Sequence, residues 1–345
     1  MGAPQRSRGR PGADQGIARD APGRGRAGAD RFLILDLGTV VIAAAITTVI
    51  YPAFIRTLRR WKAGQVIQAE LPESHQKKAG TPTGGGILFV AVAVVGGISG
   101  ALAGHAGALP AVGGLVLGGL IGFADDRSKL QVGARGIPAR AKFPIQILIA
   151  IPVAWLALQQ SGWHQAFLPS NPWILWPLAV IAIVGAANAV NITDGMDGLA
   201  GGLAVIAIAV LVLLIPGAPA GEKAVGLALC GALIAFLIFN RYPAQVFMGD
   251  TGSLAIGFAL AAMAIQQGFV LLLPLIALVF VLETLSVIIQ VAYFKASGGR
   301  RVFKMTPIHY TFHHEGWSEN RIALSFWGAG LVSALAAVGI ARLLI

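Results

Sequence analysis

The chain has 345 residues, of which 56% are hydrophobic and only 12% are charged, and its net charge at pH 7 is +11. Together with a mean hydropathy of +0.75, this is more apolar surface than a soluble domain can cover with polar residues. The composition therefore excludes soluble classes and predicts a polytopic membrane protein. The single cysteine, Cys230, lies in an apolar run and is interpreted as a small core residue.

The first 31 residues are rich in Arg, Gly, Ala and Pro and hold almost no large apolar side chains. Such a segment cannot bury a core, so residues 1–31 are predicted to be a disordered tail. It is not a convincing cleavable signal peptide, because its basic part is long and the apolar segment that follows has full membrane length. Residues 32–345 are predicted to form a single transmembrane domain. Whether the tail is an extension or reflects an upstream start stays open.

Apolar runs of membrane length predict an all-α protein with about ten transmembrane helices. The Lys and Arg residues fall mainly in five loops on one side of these helices, which hold 17, whereas the opposite loops and the C-terminus hold only Lys223 and Arg342. The positive-inside rule makes the five loops cytoplasmic. The predicted spans are approximately 33–55, 84–104, 106–124, 143–160, 173–190, 201–216, 224–240, 253–267, 269–294 and 322–344.

The third span ends in GFADDRSKL, residues 122 to 130, where Asp125 and Asp126 are adjacent and Lys129 follows one turn later. Charges at the end of an apolar segment are candidates for function because they are costly near hydrocarbon. The alternative is a helix end that charges keep from sliding into lipid. Asp194, Asp197 and Asp250 fall on the same predicted face. Five carboxylates on one face favour a site for a divalent metal such as Mg²⁺, because hard oxygen ligands suit it.

The second polar segment is NAVNITDGMDGLAGG, residues 188 to 202. Asn188, Asn191, Asp194 and Asp197 recur every three residues, so amides and carboxylates line one side of a helix end. These groups match the donors and acceptors of a sugar or a nucleobase edge. The alternative is polar packing between helices.

Three further segments carry polar or aromatic candidates. In FNRYPAQVFMGDTGSLAIG, residues 239 to 257, Asp250 precedes a helix start that could face an anion, and Phe247 offers a stacking face or packs. The glycine-rich loop SHQKKAGTPTGGG, residues 74 to 86, could cradle phosphate. The loop at residues 304 to 321 holds His309, His313 and His314, which could serve acid–base chemistry or bind phosphate, or simply lie on an ordered surface.

In this order and on one predicted face, these segments resemble the polyprenyl-phosphate N-acetylhexosamine-1-phosphate transferase superfamily, also called glycosyltransferase family 4. SHQKKAGTPT favours the members that use UDP-MurNAc-pentapeptide. The resemblance runs from about residue 33 to the C-terminus. Two positions depart from the pattern: Gly84 stands where Met is usual, and of a histidine triplet only His309 is kept.

The resemblance implies a Mg²⁺-dependent enzyme of the bacterial inner membrane, with its catalytic cleft on the cytoplasmic face. Undecaprenyl phosphate would attack UDP-MurNAc-pentapeptide, giving UMP and lipid I in peptidoglycan synthesis. Asp250 matches the metal ligand, Asp125 the base that deprotonates the lipid phosphate, with Asp126 beside it, and His309 a further catalytic position. An older scheme makes an Asp a covalent nucleophile, and that alternative stays open.

The resemblance also implies a homodimer and a set of substrate-binding residues. A sister transferase that moves another UDP-HexNAc-1-phosphate, such as GlcNAc-1-phosphate, is the main alternative. A secondary transporter is disfavoured because the motifs cluster at one face and no internal repeat is seen. The implied substrate-binding residues are Lys78, Thr83, Lys129, Lys142, Asn188, Asn191, Asp194, Asp197, Asn240 and Phe247.

Overall fold

The computed structural model describes residues 23–61, 80–130 and 136–344, with side chains from residue 35 onward. Most of the predicted tail and the predicted substrate residue Lys78 lie outside the described residues. The described residues from 36 onward form one compact unit, and the described residues up to 35 belong to another.

The described part of the chain is helical and contains no β-strand. Within the described ranges ten helices have more than ten residues, and the predicted all-α fold is confirmed. Two short helices of four and seven residues add to them. The helices are α1 Gly23–Arg60, α2 Gly86–Leu102, α3 Leu109–Lys129, α4 Ala139–Gln160, α5 Pro172–Thr193, α6 Leu199–Ala209, α7 Ala220–Asn240, α8 Gly249–Gln266, α9 Leu273–Ile276, α10 Leu278–Ala296, α11 Ile308–His314 and α12 Glu319–Leu344.

Seven of the helices in the described ranges are long and apolar enough to cross a membrane by length and composition, and α2 and α6 with its extension are shorter apolar helices. Local signals explain several boundaries. Pro110 lies in the first turn of α3, where a missing N–H costs nothing. At the start of α5, the side chain of Asn171 accepts a hydrogen bond from the backbone N–H of Trp173 at 3.0 Å, as an N-cap does.

The predicted ninth span, 269–294, is divided in the structure. Its first part is the short helix α9, Leu273–Ile276, and Ala277 separates this from α10. Gly268, with φ of +82°, ends the preceding segment in a left-handed conformation. The composition of the apolar run thus predicts one span, but the backbone turns within it.

The helix α8 lies at the centre of the bundle. Every residue from Asp250 to Gln266 is buried, and α2, α3, α4 and α5 pack around the helix. A helix that is buried on all sides has no polar face. Its only acidic side chain is Asp250 in the first turn, so the surrounding helices must accommodate that charge.

Three glycines spaced four residues apart bring α3 against α8. A Cβ atom at Gly114 would lie 2.9 Å from the backbone nitrogen of Ala259, and one at Gly118 would lie 2.8 Å from the carbonyl oxygen of Leu254. At Gly122 a Cβ atom would overlap the backbone of Asp250. Small residues at every fourth position allow two backbones to approach closely within a membrane. The contact ends where α8 begins, three residues before Asp125.

Candidate active site

The end of α3 and the start of α8 are joined by Asp126. One of its carboxylate oxygens accepts the backbone N–H of Asp250 at 2.9 Å, and the other accepts the N–H and hydroxyl of Thr251 at 2.9 and 2.7 Å. The first N–H groups of a helix have no partner within that helix, so Asp126 caps α8 from another helix. Its predicted catalytic role stays a prediction, but both of its oxygens already serve to hold the two helices together.

The neighbouring Asp125 is bridged to Asp250 by two lysines. Lys129 Nζ lies 2.8 Å from Asp125 Oδ2 and 2.9 Å from Asp250 Oδ1. Lys142 Nζ lies 3.2 Å from Asp125 Oδ2 and also bonds Asp250 Oδ2. The structure therefore assembles two carboxylates and two ammonium groups that are separated by up to 125 residues in sequence. We call these four residues the lysine-bridged cluster.

Solvent reaches the cluster unevenly. The Asp125 side chain is 3% exposed and that of Lys142 is 14% exposed, whereas that of Lys129 is 42% exposed. The other Asp125 oxygen accepts the backbone N–H of Ile137 at 2.6 Å. This bond requires a close approach at Gly136, where φ is +81° and a Cβ atom would lie 2.9 Å from Asp125 Oδ1. Lys129 is thus the member of the cluster most accessible to an incoming anion.

The end of α5 places further polar groups beside the cluster. Asn191 donates to the hydroxyl of Ser253, in the first turns of α8, at 2.9 Å. Asp194 follows the last residue of α5. Burial, reinforced by the negative charges of Asp250, Asp126 and Asp197, raises the pKa of Asp194 well above its usual range. The predicted convergence of the aspartates is therefore seen among the described residues.

Two of the predicted substrate residues are occupied by structural hydrogen bonds. Asn240 accepts the backbone N–H of Gly198 at 3.0 Å and donates to the carbonyl of Val246 at 2.9 Å. Asn188 donates to the side chain of Gln146 at 2.7 Å. The first residue ties the turn after α5 to the loop before α8, and the second ties α5 to α4. Whether either contacts substrate stays a prediction.

The remaining candidates lie around the same turn and loop. Asp197 Oδ2 accepts the backbone N–H of Ala244 at 2.9 Å. Phe247 is half-buried, and its backbone pairs with Pro82 and Gly85 at 2.9 and 2.8 Å. A Cβ atom at Gly249 would lie 2.8 Å from Thr83 Oγ1. The glycine-rich entry to α2 is thus packed against the start of α8.

His309 lies on the short helix α11 and is completely buried. Its Nδ1 atom is 3.0 Å from Glu283 Oε2 on α10. On the turn after α5, the carbonyl of Gly195 accepts the hydroxyl of Tyr310 at 3.0 Å. Burial raises the pKa of Tyr310, and the negative charge of Glu319 adds to this effect. The phenol is therefore a neutral donor.

The sequence reasoning missed Glu283 and Glu319. Both are buried, and Glu319 accepts the backbone N–H of Asp197 at 3.4 Å. A signal for Glu283 was available, because an acidic residue inside an apolar span is a candidate for function by default. Glu319, at the start of α12, resembles an ordinary acidic residue in a first helical turn and gave no such signal.

A cavity of about 750 Å³ opens beside α10 and α11. Its walls combine apolar and basic side chains, including Phe294, Lys295, Arg301 and His313. Lys304 also lines it and is paired with Glu315 at 3.1 Å. The cavity therefore presents basic side chains beside the short helix that carries His309.

The lysine-bridged cluster fits a magnesium ion better than a metal such as zinc. Within the described residues, no group of three or more His, Cys, Asp or Glu side chains is arranged to hold a metal. Mg²⁺ does not need one, because it commonly binds through one or two carboxylates together with waters and substrate phosphates. Asp125 and Asp250, bridged by the same two lysines, provide two such carboxylates.

Comparison with known proteins gives a consistent result. The pattern of glycosyl transferase family 4 matches residues 108–268, which include α3, α5 and α8. A phospho-N-acetylmuramoyl-pentapeptide-transferase of Geobacillus kaustophilus is 44% identical over 312 residues, covering 86% of this chain and 96% of the relative. Proteins of the same name from Halalkalibacterium halodurans and Listeria monocytogenes are 40% and 39% identical, covering 90% and 89% of this chain and 97% and 98% of their own lengths.

Proposed function

Because the chain belongs to the phospho-N-acetylmuramoyl-pentapeptide transferase family, we propose that it makes lipid I. In this reaction phospho-MurNAc-pentapeptide passes from UDP-MurNAc-pentapeptide to undecaprenyl phosphate, and UMP is released. The assignment to a sister transferase for another UDP-HexNAc is not favoured, since the similar relatives carry the muramoyl name over nearly their full lengths. The reaction is the first membrane step of peptidoglycan synthesis.

The lysine-bridged cluster is the observation that carries the assignment of the active site. Both substrates are anions, so their approach requires positive charge that is held in place before they bind. Lys129 and Lys142 supply it, and each already contacts two carboxylate oxygens. Phosphate oxygens compete for the same ammonium donors as carboxylates do, so the diphosphate can replace part of these contacts when it binds.

Asp125 is the proposed base. It takes a proton from the lipid phosphate, whose oxygen forms the new bond to the β-phosphorus, while the bond from that phosphorus to the bridging oxygen of UMP breaks. Its side chain is nearly buried, and the backbone N–H of Ile137 holds one oxygen at 2.6 Å. When the lysines turn to the phosphates, the carboxylate is released from both ammonium groups and can contact the lipid phosphate. The covalent alternative would use a carboxylate oxygen for the attack instead.

Mg²⁺ is the proposed cofactor. Asp250 would hold it together with oxygens of the diphosphate, with Asp125 nearby, and the ion would supply positive charge to the phosphates as they react. Asp126 keeps Asp250 in place by capping α8. Asn191, Asp194, Asp197 and the half-buried ring of Phe247 line the approach proposed for the nucleotide sugar.

The proposal includes a bacterial inner-membrane location with the cluster on the cytoplasmic side. The predicted basic loops 125–142 and 295–321 are on the side that the positive-inside rule places there. A homodimer is also proposed, and the mass of the protein in detergent, measured by light scattering, would be that of two chains.

The decisive experiment is UMP release by the detergent-purified protein with Mg²⁺ and undecaprenyl phosphate. UDP-MurNAc-pentapeptide is compared with UDP-GlcNAc under the same conditions. We expect release with the muramyl substrate and little with UDP-GlcNAc. Release only with UDP-GlcNAc would retain the fold and chemistry but transfer the protein to a sister reaction.

A further inference from the structure

Glu283 and His309 are in contact in the interior of the bundle. Both side chains are 0% exposed, and His309 Nδ1 lies 3.0 Å from Glu283 Oε2. The backbone N–H of His309 points to the same oxygen at 3.5 Å. Burying a carboxylate and an imidazole is costly, and a well-packed apolar pair often stabilises a protein as much or more. Stability alone therefore gives no reason for this pair.

The second ring nitrogen of His309 faces the turn that follows α5. A Cβ atom at Gly195 would lie only 2.9 Å from His309 Nε2. This nitrogen is buried and has no hydrogen-bond partner among the described residues. A buried polar atom without a hydrogen-bond partner costs free energy. A group of a bound substrate would supply the missing partner of Nε2.

The orientation of the ring is fixed from a second side. The aromatic ring of Tyr310 packs against the imidazole with centroids 4.2 Å apart. The Tyr310 hydroxyl donates to the carbonyl of Gly195 at 3.0 Å. Tyr310 stands where the resemblance places the second histidine of a triplet, and in this chain it ties the ring of His309 to the same turn that Nε2 faces.

We propose that Glu283 is a positioning residue that fixes His309 so that its Nε2–H donates a hydrogen bond to the diphosphate of the nucleotide sugar. A carboxylate at Nδ1 fixes the orientation of the ring. Nε2 donates to an anionic oxygen when the ring carries both protons, and we propose this form, placed between the carboxylate and the diphosphate, for the substrate complex. The inference rests on the proposed function for its substrate. The pairing of Glu283 with His309 is seen directly.

The neighbourhood of Nε2 supports this assignment. The Asp194 to Gly198 turn links the aspartates beside the lysine-bridged cluster to α11, because Asp194 interacts electrostatically with Asp250 and Lys129 while Gly195 touches His309. A nucleotide diphosphate bound at the lysines can therefore extend along this turn toward Nε2. An uncharged acceptor at Nδ1 would hold a neutral ring with its proton on Nδ1, and Nε2 would then be an acceptor instead of a donor.

Glu283→Gln tests the charge, because glutamine retains a hydrogen-bonding oxygen but not the negative charge. We expect KM for UDP-MurNAc-pentapeptide to rise by about 10- to 100-fold, the range typical when a partner that orients a histidine is removed. The affinity for UDP, measured by calorimetry, should fall in parallel. Glu283→Asp retains the charge and should recover part of both losses.

Glu222→Gln is the matched control, since Glu222 is also 0% exposed but bonds Gln267 at the far end of α8. It should leave KM and UDP affinity unchanged. His309→Gln and the double variant with Glu283→Gln complete a double-mutant cycle. We expect the loss of UDP affinity in the double variant to be little larger than the loss in His309→Gln alone. Size-exclusion profiles and melting temperatures establish that each variant folds.

Three results would overturn the inference: unchanged KM and UDP affinity in Glu283→Gln, fully additive effects in the cycle, or equal losses in Glu222→Gln. Failure of the proposed function looks different, because then the wild-type protein does not release UMP from UDP-MurNAc-pentapeptide. UDP binding still tests the role of Glu283 in that case. If Glu283→Gln does not fold, the Glu283→Asp variant decides, and unchanged UDP affinity in it together with unchanged affinity in His309→Gln would refute the role.

Discussion

The two ends of α8 both bury acidic side chains, but they surround them differently. At the N-terminal end, Asp125 and Asp250 are held by Lys129 and Lys142. At the C-terminal end, about 27 Å away along the helix axis, the carboxylate of Glu222 is bonded by the neutral amide of Gln267. Gln266 beside it donates to the carbonyl of Gly107 at 2.9 Å.

The difference distinguishes the proposed active site from a structural contact. At the C-terminal end a neutral amide bonds the carboxylate and connects neighbouring segments. Gln267, which bonds Glu222, also donates to the carbonyl of Leu211 at 3.2 Å. The N-terminal end instead concentrates charges of both signs, and Lys129 there is accessible. Burial of a carboxylate is thus insufficient evidence for function. Convergence of buried carboxylates with lysine ammonium groups, one of them accessible to anions, is much stronger evidence.

The largest expected effect comes from Asp250→Asn, which removes a charge from the first end. We expect UMP release to fall by at least about 100-fold, as when a group that stabilises developing charge is removed. The remaining activity should depend less on the Mg²⁺ concentration. A titration of Mg²⁺ measures this, and normal turnover in the variant would refute the metal assignment.

Asp125→Asn should also remove activity but should leave binding of the UDP-sugar largely intact. The amide keeps an oxygen that can accept from Ile137 N–H, so the local backbone is retained while the proton acceptor is lost. Calorimetry with UDP-MurNAc-pentapeptide checks this. Loss of binding would point to a role in holding substrate instead.

Gly122→Ala tests whether the close contact between α3 and α8 determines the geometry at the N-terminal end of α8. The added methyl group would overlap the backbone of Asp250, and overpacking of this kind costs about 1–3 kcal/mol. We expect a lower melting temperature and reduced UMP release. Gly113→Ala on the same helix is the control, because its Cβ atom would meet only Val153 at 3.9 Å. Equal behaviour of the two variants would contradict the close-contact argument.

The smallest effect is expected for Glu222→Gln at the second end. A neutral side chain of the same shape can continue to bond Gln267, and no charge that the reaction uses is lost. UMP release should stay at the wild-type level. A large loss of UMP release with an unchanged melting temperature would show that the C-terminal end of α8 also contributes to the reaction.

Much of the site at the N-terminal end of α8 could be predicted from the sequence. Asp125, Asp194 and Asp250 each follow or begin an apolar segment on the side rich in Lys and Arg, so their convergence follows from the alternation of spans. The task of Asp126 could not be predicted, because capping of α8 depends on the register between two helices that are distant in sequence.

The same reason explains the other differences. Asn240 has the residue type of a ligand-binding amide, yet it bonds two backbone groups. The partner of Glu283 lies 26 residues away on another helix. Composition locates polar residues along the chain, but only the packing decides whether a polar atom meets the protein or stays open to a ligand.

The row of glycines on α3 makes the site depend on backbone register rather than on side-chain fit. An insertion of one residue between Gly118 and Asp125 would turn the carboxylates by about 100° around the helix axis while Gly114 and Gly118 still packed against α8. Such a protein would assemble in the membrane and yet lack a site. Single-residue insertions and deletions in this segment should therefore inactivate the protein while leaving the bundle whole.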